Sequence, residues 1–421
     1  MIVETRTLSS SRPDDAHAVV GAFVAIAVFA GTWALLHVGL YTRHLILDTP
    51  IYQRYGNAIA RGSVPYRDFS VEYPPGALPM FALPGLARPG HDQDVTPGFR
   101  HTFETLMWLC GAASLAAIAL VFVAIRAGPV RAWSALLFVA LAPLALGSVI
   151  LSRYDLWPTA LMLASLAAFA WERPRLGSGL LGGAIAAKLF PAVLVPVVLA
   201  YAWKRHGRRV ALVCAGVMSA TVGLVFVPFV LVSPGGMWQS LSGQLTRPLQ
   251  IESLGAALLV AAHHAWGLGV TQETSHGSQN LAGGAPRAIG AVFTILQALA
   301  LVAVWAVYAR SRASRDGLLR ASAAALAVFV AFGKVLSPQF MIWLIPVVPL
   351  VRGRRGLAAT GLLAGALLLT QLEFPFRYWS YVDSFAGFPS WVVLARDFVL
   401  AVLAVLLALP GTEQRRMPST S

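Results

Sequence analysis

Charge is scarce in this sequence, and negative charge is scarcest. Eighteen Asp and Glu and thirty-two Lys and Arg leave only 12% of the 421 residues charged, where a soluble globular protein carries roughly 25%. A soluble fold is thereby excluded. Cysteine is nearly missing as well. Cys110 and Cys214 both fall inside apolar segments, so there is neither a disulfide framework nor a metal-ligand spacing, and both read as packing residues. A Walker loop, a dinucleotide-binding glycine pattern, HExxH and GxSxG are all absent, which argues against ATP, nicotinamide and the commonest hydrolase chemistries. No internal repeat, glycine/serine linker or low-complexity tract divides the chain.

Apolar residues fill the chain instead, at 57%. They recur in runs of about 20, the length a helix needs to cross a bilayer, so the fold class is an all-α polytopic membrane protein. Spans are expected at 18–41, 100–126, 130–151, 156–171, 210–232, 286–309, 318–333, 339–351, 357–372 and 389–410. Residues 177–203 read as two short helices meeting at Lys188-Leu189-Phe190-Pro191, because that choice puts Arg173/Arg175 and Lys204 to Arg209 on one side. The joints Arg310 to Arg315, Arg352 to Arg355 and Arg415/Arg416 then fall on the same, cytoplasmic side. The net charge of +14 thus reports topology, not a nucleic-acid partner. Residues 1–17 and 411–421 are expected as cytoplasmic tails around a single membrane domain, 18–410. Asp48, Asp155, Lys188 and Lys334 are expected outside; Arg205, Arg312 and Arg354 inside. The apolar piece 76–87 is too short for a span and reads as a partial insertion, while 252–268 is helix-like without a settled depth.

Acids are costly near a membrane, so their positions carry information. The first outer loop holds Asp48, Asp68 and Glu72. Between them Tyr52, Tyr55, Ala58, Ile59 and Val64 alternate with Gln53, Arg54, Asn57 and Arg61 in a helical period, as in an amphipathic helix lying at the interface. Arg153-Tyr154-Asp155 and Lys188 occupy tight turns between apolar helices, and Lys334 stands at a third helix end. Such cations suit a phosphate headgroup, or serve as helix-end charges. Trp238, Tyr378, Trp379, Tyr381 and Trp391 gather outside as an aromatic belt or a sugar-stacking surface. The adjacent His263 and His264 point in different directions on a helix, which disfavours a metal pair.

Taken in order, these residues resemble a known family. Asp48 follows the first span, and residues 62–75 read Gly-x-x-Pro-Tyr-x-Asp-Phe-x-x-Glu-Tyr-Pro-Pro. Arg153-Tyr154-Asp155 opens a helix, and Ala187-Lys188-Leu189-Phe190-Pro191 and Lys334-Val335-Leu336-Ser337-Pro338-Gln339 follow. The set is similar to glycosyltransferase family 87, membrane mannosyltransferases of the GT-C superfamily, and the resemblance spans about residues 18–400. It implies a GT-C fold with about 12 transmembrane helices in a bacterial cytoplasmic (inner) membrane, with its active site on the external face. It also implies a polyprenyl-phosphate sugar donor, most simply mannose, as substrate; a glycolipid or glycan acceptor; and Asp48 as catalytic base. No cofactor is expected, and no metal, since no Asp-x-Asp pair lies between Asp48 and Asp68. Arg153, Lys188 and Lys334 are the candidates for the donor phosphate. Asp68, Glu72, Tyr73 and Asp155 are candidates for acceptor binding or structural roles. The competing classes are a lipid-linked glycan transporter or flippase, and a non-catalytic assembly scaffold.

Overall fold

The computed structural model describes residues 13–87 and 95–410. The tail 411–421, with Arg415 and Arg416, and most of the N-terminal tail lie outside the described residues. Helix α1 (Pro13–Leu35) leads through an irregular stretch to α2 (Thr49–Ala60) and α3 (Pro79–Ala87). There follow α4 (Pro97–Ala124), α5 (Pro129–Leu146), α6 (Leu156–Ala170), α7 (Pro174–Ala187), α8 (Val195–His206), α9 (Arg208–Val232), α10 (Pro234–Leu245) and α11 (Leu254–Trp266). After the strands β1 (Thr271–Ser275) and β2 (Ser278–Ala282), the chain ends in α12 (Gly284–Arg310), α13 (Arg315–Ala331), α14 (Met341–Leu344), α15 (Gly353–Glu373), α16 (Tyr378–Ser384) and α17 (Gly387–Ala408). Among the described residues seven helices, α1, α4, α5, α9, α12, α15 and α17, are long and apolar enough to cross a membrane. Proline in the first turn starts α2, α4, α5, α7, α8 and α10, where its missing N–H costs nothing.

The polar joints separate into two ends. At one, Asp316 accepts from Arg131 at 3.1 Å and pairs with Arg352 at 3.4 Å, and Glu172 meets Arg205, His206 and Arg315 within 3.3 Å. Lys204 donates to the Tyr308 carbonyl at 2.8 Å. The basic joints of the first and second halves of the chain therefore share this end. Residues 177–203 form two helices, α7 and α8, that reverse at Lys188 as the charge pattern requires. The opposite end collects Asp48, Arg153, Lys188 and the segment around residue 250.

Two expected spans need correction. Helix α1 stops at Leu35 instead of running to Tyr41, so Asp48 caps α2 and does not follow the first span directly. Helix α2 forms in the first loop with the expected amphipathic period, and Tyr52, Gln53, Tyr55, Gly56 and Asn57 are buried against protein. Its apolar face finds α3, through a close crossing of Gly56 and Gly85 where a Cβ on either would lie 2.4 Å from backbone atoms of the other helix. Residues 339–351 are not one helix, because Pro338, Pro346 and Pro349 break the run into α14 and flanking 3₁₀ turns. The all-α class holds, with one two-stranded hairpin among the described residues, whose turn between β1 and β2 places His276 and Gly277 both at positive φ.

Helix α3 has 9 residues and α11 has 13, fewer than the roughly 20 that a crossing helix needs. The Thr96 backbone N–H, just before α4, donates to Gln53 Oε1 at 2.8 Å. Helices α2 and α3 thus form a hairpin on the Asp48 end, and α4 departs from beside it. Helix α11 runs outward from Glu252 to His263 and His264, whose rings meet Phe385 and Trp391 near the start of α17.

Candidate active site

Asp48 stands at the N-cap of α2, and its carbonyl accepts from the N–H groups of Ile51 and Tyr52 at 2.9 and 3.2 Å. An Asp at this position ordinarily turns its carboxylate onto the helix N–H groups. Here the side chain makes no capping bond and pairs instead with the Arg153 guanidinium. Arg153 enters from the turn between the 3₁₀ segment Ser148–Ser152 and α6. It is almost fully buried, while the Asp48 carboxylate keeps a quarter of its surface open. Burial lowers the Arg153 pKa to about 10 against the pull of Asp155 and Glu252, so the guanidinium remains charged at neutral pH.

Two residues along the chain, Asp155 is fully buried and binds the second cation. Its Oδ1 accepts from Lys188 Nζ at 2.7 Å and from Trp343 Nε1 at 2.6 Å. Trp343 is sandwiched between Phe190 at 3.9 Å and Phe340 at 4.1 Å. The motifs around Lys188 and Ser337-Pro338-Gln339 therefore meet on one indole. Lys188 also lies 4.7 Å from the Tyr154 ring, and burial depresses its pKa despite Asp155. Gly76, following Tyr73-Pro74-Pro75, packs on the end of α7 just before Lys188; a Cβ there would lie 2.5 Å from the Ala186 backbone. This is the physical reason for glycine after the two prolines.

Aromatic rings close the floor. Tyr52 stacks on Phe81 at 4.6 Å and meets Tyr73 and Tyr154 edge-on. Tyr52 Oη lies 3.4 Å from Asp48 Oδ2. Burial holds both phenols above their ordinary pKa, so they are neutral hydrogen-bonding groups.

The other nominated residues separate from this core. Asp68 is exposed and occupied locally: Arg67 donates to both carboxylate oxygens at 2.8 and 2.9 Å, and the Val64 N–H donates at 2.7 Å. Glu72 is exposed beside Gly277 of the hairpin turn. Lys334 makes no ion pair among the described residues; its Nζ donates to the Leu245 carbonyl at 3.2 Å.

Three features escaped the sequence reading. Trp343 looked like one more apolar residue of a span. Arg247 looked like an ordinary outer-loop charge, yet it lies close enough to Lys188 to repel it. Arg396 and Asp397, within the last span, form a closed cluster with Glu252 and Glu373. The only legible signal was two adjacent charges in an apolar run.

The arrangement can supply a carboxylate partly open to solvent, with fixed cations beside it, at one end of a helical bundle. No group of His, Cys, Asp and Glu suited to a metal ion occurs among the described residues. No curated protein matches this sequence. The model of glycosyltransferase family 87 matches residues 71–338, well over half of the chain. That stretch holds Tyr73, Arg153, Asp155, Lys188, Arg247 and Lys334 but stops short of Asp48, which the fold joins to it through Arg153. The chain belongs to glycosyltransferase family 87, as a polytopic membrane glycosyltransferase.

Proposed function

We propose that this protein transfers a sugar, mannose, from a polyprenyl-phosphate donor to a hydroxyl of a glycolipid or glycan acceptor on the external face of a bacterial cytoplasmic membrane. The carrying observation is the Asp48–Arg153 pair, a base and a phosphate-type ligand held together at the end of the bundle away from the basic joints. Those joints mark the cytoplasmic side by the excess of Lys and Arg in short loops, which supports an external site.

Asp48 takes the acceptor's proton as the acceptor oxygen attacks the anomeric carbon. The bond from that carbon to the phosphate oxygen breaks, its electron pair leaves with polyprenyl phosphate, and the configuration inverts. Arg153 and Lys188 face the charge that develops on the leaving phosphate. As cations already in place, they require little reorganisation when it forms. Tyr52 and Tyr73 hold the floor beneath Asp48 and orient its carboxylate. Asp155 keeps Lys188 aimed and is a positioning residue.

The test is purified full-length protein in detergent, supplied with polyprenyl-phosphate mannose and a membrane glycolipid extract. The expected result is acceptor-dependent release of polyprenyl phosphate with mannose on the acceptor. Movement of intact donor across vesicles without release would overturn the reading in favour of a flippase.

A further inference from the structure

The outer end holds more cations than Arg153 and Lys188, and those two already have carboxylate partners. Arg153 is paired with Asp48 and Lys188 with Asp155. Arg247 is in a different state. Its Nη2 donates to a neutral acceptor, the His276 carbonyl, at 3.1 Å. Its Nε, like that of Arg153, is buried without a hydrogen-bond partner, but among the described residues no carboxylate forms an ion pair with Arg247. Lys188, Tyr73 and Glu72 lie within electrostatic range, and Gln244 of the same segment donates to the Glu72 carbonyl at 3.0 Å. A buried guanidinium nitrogen without an acceptor is costly unless a ligand supplies one.

The backbone around Arg247 is braced from two sides. Lys334 donates to the Leu245 carbonyl at 3.2 Å, and its own carbonyl accepts from the Gln250 N–H at 3.0 Å. These contacts clamp the chain on either side of Arg247. On the other flank the Ile251 N–H donates to the Gln279 carbonyl at 3.1 Å, and the Leu281 N–H to the Leu249 carbonyl at 2.9 Å. The β hairpin and Lys334 therefore hold the Arg247 segment between them. A side chain placed this way meets its ligand preorganised.

We infer that Arg247 is the third cation on the donor's phosphate, recruited as the phosphate becomes a leaving group, and that Lys334 acts through Arg247 as a positioning residue. This rests on the donor reading above. The chemistry explains the need for a third cation. A sugar phosphodiester carries one negative charge, whereas the released polyprenyl monophosphate carries about 1.5 to 2 at neutral pH. Asp48 frees Arg153 as it takes the acceptor's proton, but Lys188 stays matched by Asp155, so one of the two phosphate charges still lacks a free cation. Arg247, with no paired carboxylate, supplies it and so favours the product-like charge distribution over the ground state.

The experiment measures binding of polyprenyl phosphate, with the uncharged polyprenol as control, to the full-length protein in nanodiscs by native mass spectrometry. Arg247→Gln should weaken polyprenyl phosphate by about 10-fold or more, weaken polyprenyl-phosphate mannose less, and leave polyprenol unchanged. Arg247→Lys should recover part of the loss, since it keeps the charge but not the fork. Lys334→Met should weaken polyprenyl phosphate several-fold in the parent, about 3-fold or more, and not at all in the Arg247→Gln background. The inference is overturned if Arg247→Gln and Arg247→Lys both bind polyprenyl phosphate like the parent while Lys188→Ala does not; the donor reading then stands without it. Equal loss of polyprenol and polyprenyl phosphate would also overturn it, by showing a structural role. If Arg153, Lys188 and Arg247 are all silent toward polyprenyl phosphate, the donor reading itself fails.

Discussion

Two clusters of buried charge lie near each other at the end of the bundle away from the basic joints, and they are built on opposite terms. Around Asp48, charges come in matched pairs, Asp48 with Arg153 and Asp155 with Lys188, and Arg247 stands beside them as a cation without a paired acid. The cluster is partly open, chiefly through Asp48 and Lys188. Around Arg396, one guanidinium faces three carboxylates, Asp397 at 2.9 Å, Glu252 at 3.6 Å and Glu373 at 3.9 Å, and every member is closed to solvent. Arg396 also donates to the Glu252 carbonyl at 2.6 Å. An acid-rich, sealed cluster has no place for an anionic headgroup. It ties the start of α11 and the end of α15 to the middle of α17. A cation-rich, open cluster suits such a headgroup, as the proposed donor site requires. Openness and the sign of the charge surplus, more than burial or charge count, separate site from scaffold.

Breaking the sealed cluster should have the largest effect. Arg396→Met leaves three buried carboxylates without a cation, and removing one partner of a buried pair costs about 3 to 5 kcal/mol. The expected outcome is a large drop in unfolding temperature in detergent, with loss of activity only as the fold is lost. Glu373→Gln, which removes one of the surplus negative charges, should be tolerated or stabilising. An Arg396→Met variant that keeps its stability but loses donor binding would move Arg396 into the site and erase the contrast.

Asp48→Asn tests the open cluster. Asn keeps the size and hydrogen-bonding capacity but accepts no proton at neutral pH, so turnover should fall by about 100-fold or more with folding intact. Donor binding should be kept, and Arg153, released from its partner, is then available to the phosphate. Near-normal turnover in this variant would remove Asp48 from the chemistry.

Lys188→Ala should have a smaller effect, weakening donor binding by about 10-fold or more, the scale of a lost charge-assisted contact. It also strands Asp155, whose Oδ2 is already buried without a partner, so some loss of stability will accompany it. Lys188→Arg separates the two, because it keeps a charge for Asp155. If that variant restores stability but not donor affinity, the ammonium contacts the phosphate directly; if it restores both, any cation there suffices.

How much of this was legible depended on chain distance. The turns at Arg153 and Lys188 stood out because each puts a charge between two apolar helices with no loop to solvate it. The polytopic class and the segregation of basic joints follow from composition and spacing alone. Trp343 could not be chosen, since an indole in an apolar run gives no sign that Asp155, far away in sequence, will meet its Nε1. Arg396 and Asp397 were visible as adjacent charges, but adjacent residues on a helix diverge, and their partners at 252 and 373 are set by packing. Arg247 was hidden by its surroundings, an outer loop where a solvated charge is the ordinary expectation. The embedding of α2 was missed because an amphipathic period does not say whether its apolar face will meet lipid or protein.

The smallest expected effect is at Asp68, which the sequence placed beside Asp48 as a possible acceptor ligand. Both its oxygens are taken by Arg67, with a further bond from the Val64 N–H, and these contacts hold its carboxyl down at about 2. A carboxyl lowered by its folded partners stabilises the turn fully above its unfolded value of about 3.9 and loses that contribution as pH falls through the folded value. Protection of residues 64–69 from hydrogen exchange should therefore decline between about pH 4 and pH 2 in the parent, and show no such step in Asp68→Asn. At neutral pH the same variant should keep turnover and acceptor KM within about twofold of the parent, as expected for an exposed local pair. A tenfold rise in acceptor KM with the turn still protected would show that Asp68 leaves Arg67 to bind the acceptor, and the proposed site would then extend from the buried pairs out into the exposed loop.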